Sequence, residues 1–230
     1  MEYSEKINLF DETLHRFRVF LKNWHEKDKE VASRFNLFSI LKIDWKEVIV
    51  HTPLLSNLLN PMGTHSQGDL FYNEFIMTVL PEKEWDFFLN ITPEDLYVRD
   101  EESFEDGQID IFIRHKNKIA PFVIIIENKI FAGDQYQQLT RYYNHAIKRL
   151  SINPEKVKLI YLTPIESMPG DLSIEKNLKD ELIKSKTLLV ISYQEHIIKW
   201  IKKCALLTKA PVVKYSLEQY LLTLESLFYG

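Results

Sequence analysis

The stretch DGQIDIFIRHKNKIAPFVIIIENKI, Asp106 to Ile130, decides the fold. Two apolar runs flank a polar segment, which is the pattern of a β-hairpin. The run from Phe122 to Ile126 is as apolar as any in the chain, and it leads straight into Glu127 and Lys129. At the start of the first run Asp110 sits between Ile109 and Ile111. The turn is expected near Asn117 to Ile119, so the start of the first strand lies beside the end of the second. A symmetric fold-back about Lys118 sets Asp110 opposite Ile126, with Glu127 the next residue along. A register shifted by one sets Asp110 and Glu127 directly opposite each other, on one face. The sequence leaves both registers open. In either, Glu127 and Lys129 share a face and Asn128 points away, because side chains alternate along a strand.

Charges buried in a hairpin must be paired or bind a metal. A salt bridge from Lys129 to one acid is the structural reading, and it leaves the second acid unexplained. In the shifted register Asp110, Glu127 and Lys129 cluster at one end of the sheet. Two converging carboxylates with open positions suit Mg²⁺ or Mn²⁺, which keep waters and accept a phosphate oxygen. The lysine would then orient or deprotonate an attacking water, or stabilise charge at the phosphate.

Around the hairpin, periodicity predicts the remaining elements. Strands are expected over Leu96 to Glu101, Ile109 to Arg114 and Phe122 to Glu127, then in VKLIYLTP and TLLVIS. Helices are expected in DWKEVIVHTPLLSNLLNP, with Asp44 as N-cap, a break at Pro53 and a stop at Pro61, and in GDLFYNEFIMTVLP, with Asp69 as cap. Further helices are expected in DQYQQLTRYYNHAIKRL, near Lys176 to Ile183, and in YQEHIIKWIKKCALL and VVKYSLEQYLLTLESLF. Near the N-terminus Ile7, Phe10, Leu14, Phe17, Leu21 and Trp24 alternate at spacings of three and four, one stripe of a long amphipathic helix. That stripe suits packing on the core, and its spacing also suits a dimer seam. The order of elements predicts an α/β fold, a mixed sheet with helices on both faces.

Composition narrows the classes. A chain of 230 residues fits one domain. The single cysteine, Cys204, excludes an internal disulfide and a multi-thiolate zinc cluster. The charged start MEYSEKINLF is unlike a signal peptide, and no run approaches the roughly 18 apolar residues of a membrane span. A soluble, cytoplasmic protein is expected. The net charge of -4 counts against a purely electrostatic nucleic-acid coat protein and leaves an enzyme open.

Asp110 followed by Glu127-Asn128-Lys129 resembles the motif of the PD-(D/E)xK nuclease superfamily, and the element order is similar to its αβββαβ restriction-endonuclease-like core. DQYQQLTRY resembles the QxxxY motif of its RecB and lambda-exonuclease-like branch, which falls on Gln138 and Tyr142. Upstream, the segment from Asn36 to Phe75 resembles the leader of a bacterial subgroup: a Glu-x-x-x-His helix (Glu47, His51), an LLNP stretch, then His65, Gly68 and Asp69. The chain departs from that subgroup at Gln108, where Arg is expected, and at Thr52, where Ser is expected.

The resemblance implies a metal-dependent nuclease acting on DNA, in defence or DNA processing. It implies Mg²⁺ or Mn²⁺ held by Asp110, Glu127, the backbone carbonyl of Asn128 and Glu47, with Lys129 serving the attacking water. Gln138 and Tyr142 would orient Lys129 or contact the phosphate. His51 is expected to cap or pack and His65 to hydrogen-bond within its loop. The expected layout is a single domain: an N-terminal helical extension over 1–35, a catalytic core over 36–163, and a C-terminal strand and helices over 164–230. The alternative function is an inactive nucleic-acid-binding or protein-interaction module on the same fold. A homodimer through the N-terminal helix is a further expectation.

Overall fold

A computed structural model describes residues 3–32, 35–89, 91–116 and 121–229. The expected turn at Asn117 to Ile119 lies outside the described residues. Five strands form one sheet in the order β1 (Leu96–Phe104), β2 (Gly107–His115), β3 (Val123–Asn128), β4 (Val157–Thr163) and β5 (Leu188–Ser192). The first three are antiparallel, and β4 and β5 join parallel to β3 and to each other. Every residue of β3 and β4 is buried, as expected of strands covered on both faces.

The β2–β3 register pairs Ile111 with Ile126, Phe112 with Ile125 and Ile113 with Ile124. One step further along, Asp110 stands level with Glu127. The shifted register is the one adopted.

Each face of the sheet has its own core. On one, Ile111, Ile113, Ile124, Ile126, Ile160 and Leu162 pack with Phe71, Phe75 and Trp200. Helix α1 (Tyr3–Val31) precedes this layer; the helices on the face are α2 (Leu37–Ile40), α3 (Thr52–Leu59), α4 (Leu70–Val79) and α5 (Trp85–Phe88). On the other face Phe112, Val123, Ile125, Leu159 and Tyr161 meet Leu139 and Tyr142 of α6 (Gln138–Asn144) and Leu182 of α7 (Lys176–Lys184). Helices α8 (Ile198–Leu207) and α9 (Pro211–Tyr229) close the first face, contributing Trp200, Ile201, Leu217, Tyr220 and Leu224 to its core. The mixed sheet with helices on both faces is the expected α/β architecture. Among the described residues, no helix is long and apolar enough to cross a membrane.

Four local expectations need correction. Strands β1 and β2 run through 102–104 and 107–108, because their ladder continues across the polar hairpin. Pro53 does not break its helix. A π-helical turn, Glu47–His51, leads into α3, and Pro53 lies in the first turn of α3, where a missing N–H costs nothing. Asp44 is no cap, since Lys46 occupies the cap position of the π-helical turn; Asp69 does hold the cap position of α4, but its side chain accepts from the Asn73 amide at 2.8 Å rather than from a backbone N–H of the first turn. Finally, the stripe on α1 does not pack on the core: Ile7, Phe10, Phe17 and Trp24 are all exposed.

Candidate active site

The register delivers the acids, and α6 closes over them. Glu127 shares its face with Ile125, toward α6, while Asn128 faces the opposite core. Lys129 Nζ lies 2.6 Å from Glu127 Oε1. Gln138 donates to Glu127 Oε1 at 2.7 Å and to the Tyr142 hydroxyl at 3.0 Å. The one-turn spacing of Gln138 and Tyr142 places both on the helix face turned to the sheet. Tyr142 Oη stands 2.9 Å from Glu127 Oε2 and 2.5 Å from the Gln108 carbonyl.

One hydroxyl proton cannot serve both of those oxygens. If Glu127 carries a proton, it donates to Tyr142, and Tyr142 donates to the Gln108 carbonyl. Burial pushes the Glu127 carboxyl up and favours that state, while the Lys129 ammonium opposes it.

Asp110 lies at the point where the β2–β3 ladder opens. Its Oδ2 accepts from the Asn128 backbone N–H at 2.7 Å, taking the place of a strand partner. Ile109 and Phe112 both pack in the second core and Ile111 in the first, so strict alternation fails next to Asp110. Burial, and then the neighbouring Glu127, push the Asp110 carboxyl up to about 8.

Glu47 reaches the same end of the sheet from the π-helical turn. Its Oε2 accepts from the backbone N–H of Ile130 at 2.5 Å and more weakly from that of Phe131 at 3.4 Å. Its charge also raises the Glu127 carboxyl. Beside it opens a cleft of about 390 Å³ lined by Trp45, Lys46, Glu47, Val48, Ile49, Phe131 and Ala132. Trp45 and Phe131 are exposed there, and Lys46 Nζ sits 3.6 Å from the centre of the Trp45 ring.

The structure thus joins Asp110, Glu127, Lys129, Gln138 and Tyr142 in one hydrogen-bonded cluster around the Asn128 backbone, with Glu47 at its edge. Among the described residues, no three Asp, Glu, His or Cys side chains stand as a ready-made ion cage. Lys129 and Gln138 hold Glu127, and backbone amides hold Asp110 and Glu47. The donor set is nonetheless all oxygen, the chemistry a hard divalent ion takes. A carboxylate oxygen of Glu101 beside the cluster is buried without a hydrogen-bond partner.

Sequence reading missed the layer beneath. The Asn128 carboxamide donates to Thr52 Oγ1 at 3.1 Å and accepts from the Tyr193 hydroxyl at 2.9 Å. His51 is fully buried, with Nε2 2.9 Å from the Asp44 carbonyl and Nδ1 2.9 Å from the Tyr220 hydroxyl. A carbonyl only accepts, so Nε2 carries the proton and Tyr220 donates to Nδ1. Burial lowers the His51 pKa, in keeping with a neutral ring. His51 therefore packs, as expected. His65 bonds within its loop, as expected too: its Nε2 donates to the Asn60 carbonyl and its Nδ1 accepts from the Gln67 N–H. These partners lie up to 169 positions apart in sequence, and no local pattern marks them.

No curated protein and no solved structure matches the chain significantly. A family model does, over residues 35–221, and its span takes in Glu47, the hairpin, α6 and both parallel strands. With most of its length matched and the motif acids side by side, this chain belongs to the PD-(D/E)XK nuclease superfamily.

Proposed function

We propose that this protein is a metal-dependent nuclease that hydrolyses phosphodiester bonds of DNA in the cytoplasm, in defence or DNA processing. The observation that carries the reading is the register, which sets Asp110 level with Glu127 and leaves Lys129 Nζ 2.6 Å from Glu127 Oε1. Asp110, Glu127, the Asn128 carbonyl and Glu47 would hold Mg²⁺ or Mn²⁺. Such an ion supplies Lewis acidity at a phosphate oxygen.

The remaining work falls to the chain's own groups. Lys129 is an ammonium without a lone pair, so it is no ligand. It orients the attacking water and stabilises charge at the phosphate. Gln138 and Tyr142 fix the Glu127 carboxylate, and through it Lys129. The Trp45 and Phe131 rings, with Lys46, offer stacking surface and positive charge to a nucleic-acid strand entering beside Glu47.

The test is cleavage of labelled linear, circular and single-stranded DNA and of RNA, in Mg²⁺ and in Mn²⁺, by wild type and Lys129→Met. The variant is expected to lose at least about 10²–10⁴-fold in single-turnover rate, with Mn²⁺ affinity unchanged or higher. Equal cleavage by both proteins would assign any activity to another site.

The same reading includes a second copy of the chain. Helix α1 is 29 residues long, and along its stripe Ile7, Phe10, Phe17 and Trp24 are exposed while Leu14 and Leu21 are half-buried. A stripe at alternating three and four suits a coiled-coil seam.

A further inference from the structure

Glu101 lies outside the family motif and outside the hydrogen bonds that tie the cluster together. It stands on β1 directly across from Asp110: Asp100 pairs with Ile111 and Glu102 with Ile109, and the position between them is Glu101 against Asp110. That one pair is missing from an otherwise continuous ladder. Glu101 has φ 50, in the left-handed region that residues with side chains seldom enter.

Its Oε1 is shut off from solvent and has no hydrogen-bond partner. The other two buried, unsatisfied side-chain atoms among the described residues, Thr140 Oγ1 and Arg141 Nε, are a hydroxyl and a donor nitrogen, so Glu101 alone leaves a carboxylate oxygen bare. Glu101 as a whole is half-buried, so this one oxygen is shut off while its side chain still reaches the surface, and a bound ion is one partner that would satisfy it. Neighbouring charge does not supply a cation: Arg99 lies toward Glu102, whose Oε2 also accepts from the Tyr97 hydroxyl at 3.1 Å. What surrounds Glu101 is acidic. The charges of Asp100 and Glu47 act on it, and its own acts on Asp110.

We propose that Glu101 is a further carboxylate ligand of the divalent cation, facing Asp110 across the gap in the β1–β2 ladder. The proposal rests on the metal-dependent reading above. It accounts for the missing ladder pair and the bare oxygen together.

The experiment is calorimetric titration of Mn²⁺ into the metal-free full chain, without nucleic acid, for wild type, Glu101→Gln, Glu102→Gln and Asp110→Asn. Melting of the same proteins with and without Mn²⁺ gives a second readout. Glu101→Gln is expected to weaken Mn²⁺ binding about tenfold or more, or to remove one of two bound ions, and to shrink the Mn²⁺-induced rise in Tm. Glu102→Gln should bind within about twofold of wild type. Wild-type binding by Glu101→Gln beside weak binding by Asp110→Asn would overturn the role of Glu101 and leave the metal centre standing. No Mn²⁺ binding by wild type would overturn both. Should Glu101→Gln fail to fold, Glu101→Asn replaces it, because asparagine tolerates the left-handed backbone. Loss of fold in both would make Glu101 a structural residue and overturn the assignment.

Discussion

Asp110→Asn should stabilise the metal-free protein at neutral pH and above. In the fold the Asp110 carboxyl is held up at about 8, against an ordinary 3.8. The folded chain therefore binds more protons than the unfolded chain across that interval, and stability falls as pH rises through it. The interval is roughly four pH units, and at 1.36 kcal/mol each the ceiling is about 5–6 kcal/mol. Relaxation and water entry reduce such penalties, so about half, ~2–3 kcal/mol, is the working expectation.

Asparagine keeps an oxygen that accepts from the Asn128 N–H, so that hydrogen bond to the sheet survives. In a domain of this size the gain corresponds to about 5–10 °C in Tm at pH 8, shrinking to nothing near pH 4. The assay is thermal melting in chelator from pH 4 to 9. Saturating Mn²⁺ should reverse the ranking, because it stabilises the charged carboxylate of wild type alone. Parallel Tm profiles for the two proteins between pH 5 and 8 would refute the argument that Asp110 is held protonated.

Two further substitutions probe other parts of the molecule. Leu14→Glu places a charge in the α1 stripe and should convert a dimer into a folded monomer on light scattering; a wild-type protein that is monomeric at high concentration ends the seam reading. Tyr193→Phe removes the hydroxyl that donates to the Asn128 carboxamide and should cost about 1–2 kcal/mol in urea unfolding, with no change in oligomeric state.

The elements that were legible in the sequence are the periodic ones. Strands β3 and β4 announce themselves as apolar runs, and α8 and α9 as amphipathic repeats, because their side chains alone dictate what they bury. The residues from Glu102 to Gln108 carry no such pattern. They extend the hairpin through backbone hydrogen bonds, which are blind to side-chain polarity. The stripe on α1 was legible as a stripe, but core and seam ask for the same spacing, so the covering surface was not. Pro53 misleads for a related reason: proline is costly in the middle of a helix and harmless in its first turn, and the sequence does not say which turn it occupies.

The site divides along the same line. Asp110, Glu127 and Lys129 were legible as residue types, while their convergence hung on a one-residue choice of register. Apolar pattern cannot make that choice, since β3 is apolar on both faces. Polar groups can. In the symmetric register Asp110 would stand opposite Ile126, whose side chain lies in the first core, apart from Glu127 and Lys129. In the register adopted it faces Glu127, reaches the Asn128 N–H at 2.7 Å and keeps its carboxylate out of the first core. The cost of an isolated buried carboxylate, several kcal/mol, exceeds anything gained by sliding one isoleucine past another. The acids of the motif therefore act as the register marks of the hairpin that carries them. Glu101 could not be found by that route. Its place beside Asp110 depends on a left-handed backbone inside a strand, and nothing in the residues around it asks for one.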